Sequence, residues 1–300
     1  MVQIAQWIAA DWGTTHLRVW AMQGASVVAQ DSSDQGMARL AGAGFERALL
    51  DLIADWLGPE PTDIIACGMV GARQGWVEAP YHAVPCAPLA GGLVRVRSAD
   101  MRLNARIVPG LKQTKPADVM RGEETQIAGF LALNPGWDGV ICLPGTHTKW
   151  VEISAGEVVS FQSFMTGELF ATLSQNTVLR HSIAADGWHE PAFEQALEDA
   201  LSRPERLAAR LFSLRATDLL EGADPKAARA RLSGMLIGAE LAAAKPYWLG
   251  RDIALIGTPD SAQPYGAALK AQGAPVTETD SVRMTLSGLT AAWRSLKDTA

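Results

Sequence analysis

The sequence lacks the motifs of several common enzyme sites. The dipeptide Gly-Lys does not occur in the 300 residues, so a Walker A phosphate-binding loop is absent. There is also no G-x-G-x-x-G run, no serine with a glycine two residues away on both sides, and no H-E-x-x-H spacing. These absences exclude a Rossmann dinucleotide fingerprint, a nucleophile elbow and a zincin-type metal site. The sequence is still compatible with a phosphate-binding site built from a different motif.

Cysteine, basic charge and long apolar runs are also scarce. The three cysteines, Cys67, Cys86 and Cys142, form no C-x-x-C pair, which argues against a metal cluster or a disulfide scaffold. With 26 basic and 32 acidic residues the net charge is −6, so no global basic field would attract nucleic acid. The sequence has no basic N-terminal region and no apolar run long enough to span a membrane. We therefore expect a cytoplasmic protein that binds neither nucleic acid nor membrane.

Size and composition predict two globular domains. At about 150 residues per domain, a chain of 300 residues is expected to form two domains. Hydrophobic residues make up 48% of the chain and charged residues 19%, which is ordinary for a globular enzyme.

The chain contains an internal repeat. When 8–28 is placed over 140–160, five of the 21 positions are identical, where composition alone gives about one or two. Each segment reads as strand, Gly-Thr turn, strand, Gly turn, strand. We predict strands over 7–10, 17–22 and 26–31 in the first half, and over 139–143, 149–153 and 158–164 in the second. Two copies of one fold would thus face each other.

Alternating helices and strands follow each predicted meander. Apolar periodicity predicts helices over 45–57, 121–133, 169–179, 192–201, 227–244, 262–272 and 286–297, and strands over 63–69 and 252–256. This pattern favours layered α/β domains, and 203–210 is interpreted as solvated surface. Polar, turn-rich residues at 109–110 and 112–116 place a boundary near 110–135, which gives domains 1–125 and 126–300. The helix over 121–133 would bridge them, and the helix over 286–297 would pack back on the first domain.

The two Gly-Thr turns are candidate phosphate-binding sites. A tight turn of this composition exposes backbone N–H groups and hydroxyls that can surround phosphate oxygens. Asp11 ends the first strand and would hold Mg²⁺ beside the phosphates, whereas the second copy has Leu143 there. The alternative is an ordinary hairpin turn. The predicted phosphate cradle consists of Gly13, Thr14, Thr15, Gly145 and Thr146.

These segments resemble a known superfamily. Residues 11–18 (DWGTTHLR) resemble the phosphate-1 motif of the sugar kinase/actin/Hsp70 superfamily, and residues 143–150 (LPGTHTKW) are similar to its phosphate-2 motif. Four further stretches narrow the match: 67–76 (CGMVGARQGW), 120–126 (MRGEETQ), 166–170 (TGELF) and 236–241 (LIGAEL). Together they resemble the 2-dehydro-3-deoxygalactonokinase family from about residue 8 to residue 290.

The resemblance implies a fold and a reaction. The fold would be two facing ribonuclease H-like domains of the actin-like ATPase/sugar kinase type, with the active site in the cleft between them. The reaction would be Mg²⁺- and ATP-dependent phosphorylation of the 6-hydroxyl of 2-dehydro-3-deoxy-D-galactonate, in galactonate breakdown. The superfamily usually marks its adenosine site with consecutive glycines, whereas residues 255–259 keep only Gly257.

The resemblance also implies catalytic and phosphate-binding roles. Glu123 and Glu124 match a Gly-Glu-Glu pattern in which superfamily phosphohydrolases place a catalytic base. The alternative is that they are acids that favour a helix N-terminus; Glu124 is the slightly preferred base. Arg18 would steady phosphate charge or be a solvated strand arginine. His147 would line the phosphate site or be packed in the turn.

A sugar-acid substrate requires a cation and polar side chains. Arg73, in a glycine-flanked loop, is the predicted partner of the substrate carboxylate. Arg121 and Lys149 are the alternative partners. If one of them binds the carboxylate, Arg73 is an ordinary surface-loop arginine. The predicted partners of the sugar hydroxyls are Gln74, Thr166 and Glu168. Glu168 is equally consistent with an acid in the first turn of a helix.

Other functions remain open at this point. A phosphohydrolase of the same superfamily would use water as acceptor. A sugar-binding regulator would need an added DNA-binding module, which an acidic chain with a strand at about residue 7 does not favour. An actin-like filament module would not need the sugar-loop motifs. A homodimer is kept open as well.

Overall fold

The structure, a computed structural model, describes residues 4–42 and 44–298 and divides them into two compact units. Unit 1 contains the described residues up to 138 together with 153–160 and 281–298, and unit 2 contains 139–152 and 161–280. Sheets and helices alternate in both, which confirms the predicted α/β class. Within the described ranges, no helix has the length and apolar character needed to span a membrane.

Unit 1 is built on one main sheet. Its strands are β1 (Trp7–Trp12), β2 (Leu17–Gln23), β3 (Ser26–Ser33), β4 (Thr62–Gly68), β5 (Tyr81–Ala83), β6 (Val94–Arg95), β7 (Leu103–Ile107), β8 (Gly110–Thr114) and β9 (Ala117–Met120). The main sheet has the order β3-β2-β1-β4-β7-β6, and β5, β8 and β9 form a small separate sheet. β1 runs antiparallel to β2 and parallel to β4, which in turn runs parallel to β7.

A second sheet has the same strand order. Its strands are β10 (Gly139–Leu143), β11 (Thr148–Ser154), β12 (Glu157–Phe164), β13 (Ile253–Gly257) and β14 (Val276–Asp280), in the order β12-β11-β10-β13-β14. This order matches β3-β2-β1-β4-β7 strand for strand. The predicted repeat is therefore confirmed at the level of both strand positions and sheet topology.

The helices surround these sheets. Unit 1 contains α1 (Gly44–Ile53), α2 (Glu123–Leu133) and α9 (Ser281–Asp298). Unit 2 contains α3 (Thr166–Asn176), α4 (Glu190–Ser202), α5 (Leu207–Glu221), α6 (Pro225–Ala243), α7 (Lys245–Trp248) and α8 (Pro259–Ala271). The predicted helix over 45–57 ends at Ile53 and continues as a 3₁₀ turn. The one over 169–179 ends at Asn176, and a 3₁₀ turn follows only after the extended residue Thr177.

Tight packing of α2 against α9 explains where unit 1 ends. A Cβ atom added to Gly129 would lie 1.9 Å from the Met284 carbonyl oxygen, and one added to Gly288 would lie 1.9 Å from that of Thr125. The expected division at 125–126 falls inside α2, whereas the structure groups all of α2 with unit 1. α9 also belongs to unit 1 and begins at Ser281, five residues before the predicted start.

Two segments differ from the prediction. The stretch 203–210, interpreted as solvated surface, contains no buried residue, which confirms that interpretation, but it also forms a 3₁₀ turn and the start of α5, a helix that was not predicted. The turn-rich stretch after residue 110, expected as a boundary, is instead the hairpin of β8 and β9. In both cases polar residues mask an element that has only one buried side.

The alternation of side chains along β1 places its carboxyl end. Ile8 and Trp12 lie in one buried cluster with α1, and Trp7 and Ala9 lie in a second cluster on the opposite face. There the Trp7 ring stacks on Trp293 of α9 with centroids 5.0 Å apart. Because both faces of β1 are covered, only its carboxyl end offers polar groups for chemistry.

Candidate active site

The carboxyl ends of β1 and β4 bring a carboxylate and a thiol side by side. Asp11 and Cys67 are register partners in these parallel strands, and Cys67 Sγ lies 3.9 Å from Asp11 Oδ1. The other Asp11 oxygen accepts a hydrogen bond from Arg18, so Arg18 is an ion-pair partner of Asp11. Burial raises the pKa of the Cys67 thiol, and the neighbouring charges of Asp11 and Glu124 raise it further. Open α/β sheets bind ligands at this edge.

The first Gly-Thr turn has its carbonyl groups bound on one side. The carbonyl oxygens of Gly13, Thr14 and Thr15 accept hydrogen bonds from the backbone N–H groups of residues 37, 38 and 36, at 3.0, 3.0 and 3.2 Å. The peptide bonds here are trans, and a trans peptide points its C=O and N–H in opposite directions. The N–H groups of Thr14, Thr15 and the following residue therefore point away from 36–38, as a phosphate cradle requires.

Gly36 makes this arrangement possible, and sequence reasoning missed it. A Cβ atom added to Gly36 would lie 2.3–2.4 Å from backbone atoms of Thr14 and Thr15. Only glycine allows so close an approach. Gly36 stands three residues after the end of β3 and Gly167 three residues after the end of β12, but this match was hidden from the sequence because the strand over 26–31 was predicted to end two residues too early.

The second Gly-Thr turn also packs against a glycine. A Cβ atom added to Gly167 would lie 2.2 Å from the Gly145 carbonyl oxygen, and the Thr146 carbonyl oxygen accepts a bond from the Glu168 N–H at 2.9 Å. The turn carbonyls thus face the start of α3. Gly145 has no positive φ, and a Cβ atom added there would meet nothing within 4 Å. The space where a Gly145 side chain would lie is therefore free of protein atoms.

His147 and Glu168 form a pair beside this turn. His147 Nε2 lies 2.6 Å from Glu168 Oε2, and the two side chains are 46% and 44% exposed. Glu168 was predicted to bind a sugar hydroxyl. One oxygen of its carboxylate is bonded to the imidazole of the second Gly-Thr turn, and binding of a sugar hydroxyl by Glu168 stays a prediction.

The start of α2 carries two carboxylates with different surroundings. Glu123 is half-buried, and its Oε2 accepts the Arg121 N–H at 3.0 Å. Glu124 is fully buried; its Oε2 accepts the Gly122 N–H at 2.7 Å and its Oε1 accepts the Thr125 hydroxyl at 3.1 Å. Both acids therefore satisfy N–H groups at the helix start, as the alternative interpretation expected.

Glu124 is more perturbed than a helix-capping acid needs to be. Burial, with the adjacent Glu123 charge, raises the pKa of Glu124 from 4.5 to about 8. A carboxyl whose pKa lies near the working pH is typical of catalytic sites. Its charge acts on Cys67, which lies beside Asp11.

The loop after β4 carries the predicted substrate residues. Gln74 is exposed, and the Arg73 side chain is 82% exposed with only a 3.7 Å contact to Glu78. Arg121 is held firmly: its guanidinium lies over the Tyr81 ring at 4.3 Å and donates to the Ala79 carbonyl at 2.8 Å. Arg121 Nη1 is buried and has no hydrogen-bond partner.

The Thr166 hydroxyl donates its proton within the protein. It is 7% exposed, and its hydroxyl donates to a carboxylate oxygen of Glu240 on α6. That Thr166 binds a sugar hydroxyl stays a prediction, and its hydroxyl oxygen can still accept a hydrogen bond. The alternative carboxylate partner Lys149 is 5% exposed and donates to Ser163 Oγ at 2.6 Å.

A cavity of about 630 Å³ opens in unit 2 beside Gly145. Its wall includes the aromatic rings of Phe170 and Trp188, and the guanidinium of Arg229 lies over the Phe170 ring at 4.8 Å. The start of α8 completes the wall, whereas Gly257 lies at the end of β13 against Ser261 and does not line the cavity. Gly257, the glycine that the resemblance implies at the adenosine site, thus comes before the cavity-lining residues in the chain.

The predicted residues fall into two groups. Unit 1 contains Asp11, the first Gly-Thr turn, Arg18, the loop after β4, and Glu123 and Glu124 of α2. Unit 2 contains the remaining predicted residues. Within residues 4–42 and 44–298, no set of three or more His, Cys, Asp or Glu side chains could hold a metal ion. Asp11 is therefore a candidate metal ligand as one carboxylate and not as part of an acidic cluster.

Comparison with known proteins gives consistent matches along the chain. A model of the 2-keto-3-deoxy-galactonokinase family matches residues 11–292. The chain is 39% identical over 307 residues to a Rhizobium meliloti (strain 1021) protein assigned as 2-dehydro-3-deoxygalactonokinase DgoK1, with 99% of both chains covered. It is 35% identical over 276 residues to the 2-dehydro-3-deoxygalactonokinase of Escherichia coli (strain K12), with 91% and 92% covered.

Solved structures agree with these matches. The crystal structure of a Sinorhizobium meliloti protein, a candidate 2-dehydro-3-deoxygalactonokinase, has a TM-score of 0.89 at 38% identity and covers 97% of this chain and 96% of its own. The activator of 2-hydroxyisocaproyl-CoA dehydratase from Clostridium difficile with bound ADPNP has a TM-score of 0.55 at 12% identity, over 98% and 96%. This second likeness concerns the fold alone, and it agrees with the predicted actin-like ATPase and sugar kinase type.

Proposed function

Because the chain belongs to the 2-keto-3-deoxy-galactonokinase family, we propose that it transfers the γ-phosphoryl group of ATP to the 6-hydroxyl of 2-dehydro-3-deoxy-D-galactonate. It is a transferase of the sugar-acid kinase class. The observation that carries the proposal is the duplicated Gly-Thr turn: three carbonyls of the first copy and the Thr146 carbonyl of the second are hydrogen-bonded on one side, which leaves N–H groups on the other side for phosphate oxygens. The proposed place of action is the cytoplasm, where ATP is available. That the protein forms a homodimer stays a prediction.

Unit 2 would hold the nucleotide. A volume of about 630 Å³ is in the range of small-molecule sites. The flat surfaces of Trp188 and of Phe170 with Arg229 suit a purine ring. Gly145 lies at the same cavity, with open space where a side chain would otherwise be. The residues present thus fit ATP.

Filling that space should weaken ATP binding. Gly145→Val is expected to raise the KM for ATP about tenfold or more with little loss of stability, because a Cβ atom there meets no protein atom within 4 Å but occupies the phosphate approach. Gly44→Val is the control, since Gly44 also lacks a positive φ and a Cβ atom added there would meet only the Leu40 side chain, at 3.6 Å. Steady-state kinetics with varied ATP and thermal unfolding of both variants check this. An unchanged KM in folded Gly145→Val would make the second turn purely structural.

Unit 1 would supply the carboxylate beside the phosphates. Asp11 is a single carboxylate, and Mg²⁺ in nucleotide sites is typically bound by one or two carboxylates with phosphates and water completing its shell. The absence of a larger acidic cluster among the described residues agrees with that mode. Bound Mg²⁺ would neutralise charge on the transferring phosphate. Arg18 orients Asp11 through their ion pair.

Glu124 is the proposed general base. The substrate 6-hydroxyl oxygen forms a bond to the γ-phosphorus while the bond to the β–γ bridging oxygen breaks, and ADP leaves. The hydroxyl proton passes to the Glu124 carboxylate. Phosphoryl transfer needs mainly positioning and charge stabilisation, so one correctly placed base suffices.

The substrate carboxylate should be bound by Arg73. Arg73→Ala is expected to lower kcat/KM for the acid about 30-fold or more and to reduce the preference over a neutral sugar analogue, because a bidentate guanidinium contact is lost. Arg73→Lys should recover only part of this, since an ammonium cannot form the fork.

A matched control is Arg97→Ala, another exposed arginine of unit 1, which should leave the acid-to-neutral ratio unchanged. If Arg73→Ala leaves the ratio unchanged and Arg121→Ala lowers it, the carboxylate binds at Arg121, whose Nη1 has no partner in this structure.

The function is tested by ADP release. Purified protein with ATP and Mg²⁺ should release ADP only when a 2-keto-3-deoxy sugar acid is added, and the galacto epimer should be the better acceptor. ADP and inorganic phosphate released at the same rate without any sugar acid would instead establish a phosphohydrolase.

A further inference from the structure

Glu240 of α6 is a buried carboxylate for which the proposed transfer has no use. It is 3% exposed and accepts three side-chain hydrogen bonds. The Trp150 indole N–H donates at 2.8 Å, the Tyr265 hydroxyl donates at 2.7 Å, and the Thr166 hydroxyl donates as well. The network extends to Thr148, which lies 2.8 Å from the Tyr265 oxygen; because the Tyr265 proton is given to Glu240, Thr148 must be the donor.

Each of these donors belongs to an element of the nucleotide cavity or of the phosphate-2 turn. Thr166 and Tyr265 line the cavity. Thr148 and Trp150 lie at the start of β11, directly after the turn. Thr166 also precedes Gly167, whose backbone lies against Gly145. One carboxylate therefore joins β11, α3 and α8 around the place where the phosphates would lie.

This arrangement is costly as a purely structural device. Burial raises the pKa of Glu240, while its three hydrogen bonds oppose the rise. None of these three donors carries a positive charge, so the ionised form is held by neutral groups alone. An apolar residue of similar size would fill the same volume without the desolvation cost. The directional bonds are what an apolar residue could not supply.

We propose that Glu240 is a positioning residue for the nucleotide. By fixing Thr166 and Tyr265 it holds the start of α3 against the phosphate-2 turn, and so keeps the turn N–H groups aimed at the phosphates. This rests on the proposed function, since it assumes that the cavity of unit 2 takes ATP.

Conservative variants separate positioning from stability. Glu240→Gln keeps the shape but turns one acceptor into a donor, and Thr166→Val removes one donor without changing the volume. We expect each to raise the Kd for a non-hydrolysable ATP analogue with Mg²⁺ about 5- to 20-fold, which corresponds to one lost or reversed hydrogen bond. The kcat at saturating ATP should stay within about threefold, because no reacting atom is touched. The KM for the sugar acid should not change in Glu240→Gln.

Ser174→Ala is the matched control for Thr166→Val. Ser174 is a buried hydroxyl on the same helix, α3, and it donates to the Phe170 carbonyl instead of to Glu240. It should lose some stability and keep the wild-type Kd. Tyr265→Phe, which keeps the ring in the cavity wall, provides a further independent break in the network.

Calorimetric titration of the analogue decides the matter. A raised Kd in Thr166→Val and Tyr265→Phe but not in Ser174→Ala supports positioning, even if Glu240→Gln does not fold. Wild-type Kd in folded Thr166→Val and Tyr265→Phe, or an equal rise in Ser174→Ala, overturns it. If wild type does not bind the analogue at all, both this inference and the proposed nucleotide site fall. If it binds the analogue but phosphorylates no sugar acid, only the proposed reaction falls.

Discussion

Glu124→Gln is expected to lower kcat by about 10²–10⁴-fold while the KM values for ATP and for the sugar acid stay near those of wild type. Glutamine keeps the size of the side chain and one acceptor oxygen, so the Gly122 N–H keeps its partner. It cannot take the proton of the substrate hydroxyl, and loss of a general base costs this much in the chemical step. Steady-state kinetics with each substrate varied in turn measures the effect.

The stability of the same variant should depend less on pH. The pKa of Glu124 is raised to about 8 in the folded chain from an ordinary value of 4.5, so between these values the folded state binds more protons than the unfolded state. The stability of wild type therefore falls as pH rises from about 4.5 to about 8, by up to about 5 kcal/mol from this group. Glutamine does not titrate, so denaturant unfolding at pH 5 and pH 8 should show a smaller loss for Glu124→Gln.

Glu123→Gln is the matched control for both measurements. Glu123 is the neighbouring acid on α2, bonds a backbone N–H in the same way and is half-buried. It should retain kcat within a fewfold of wild type. A larger kcat loss in Glu123→Gln than in Glu124→Gln would assign the base to Glu123 and leave Glu124 as a buried helix cap. Near-wild-type activity in both would remove the α2 carboxylates from catalysis.

Asp11→Asn is expected to reduce kcat by about 10²-fold or more and to raise the Mg²⁺ concentration needed for half-maximal rate. A neutral amide loses the charge that holds Mg²⁺ beside the transferring phosphate. Stability should change by less than about 1 kcal/mol, because the ion pair lost with Arg18 is partly exposed. Initial rates over a range of Mg²⁺ concentrations, with thermal unfolding alongside, test both statements.

Asp63→Asn controls for the loss of an ion-paired aspartate in the same sheet. Asp63 lies in β4, accepts from Arg106 at 3.1 Å and is not at the carboxyl end of the strand. It should cost stability without altering kcat or the Mg²⁺ dependence. Turnover of Asp11→Asn within about threefold of wild type would show that Asp11 only orients Arg18.

Local patterns predicted the two halves of the fold. The Gly-Thr turns and the strands beside them are set by residues close together in the chain, so the repeat was visible in the sequence and reappears as one shared strand order. The Asp11 position followed from the same local pattern. The polar stretch that begins α5 was missed because only Leu214 of that helix is buried.

Contacts between residues far apart in the chain could not be predicted from the sequence. The approach of Gly36 to the first turn depends on how the chain returns after β3, and the Glu240 network joins side chains from three separate parts of unit 2. The motif that contains Thr166 and Glu168 did not predict that their polar atoms bond to Glu240 and His147. A motif shows which residues are grouped, whereas the direction of each side chain depends on the packed fold.

The position of the new phosphate ester tests the central claim most directly. Phosphorus NMR of the product from ATP, Mg²⁺ and 2-dehydro-3-deoxy-D-galactonate should show a monoester coupled to the two protons of the C6 carbon, together with ADP in equal amount. Release of inorganic phosphate without an ester, or an ester at another carbon, would contradict the account.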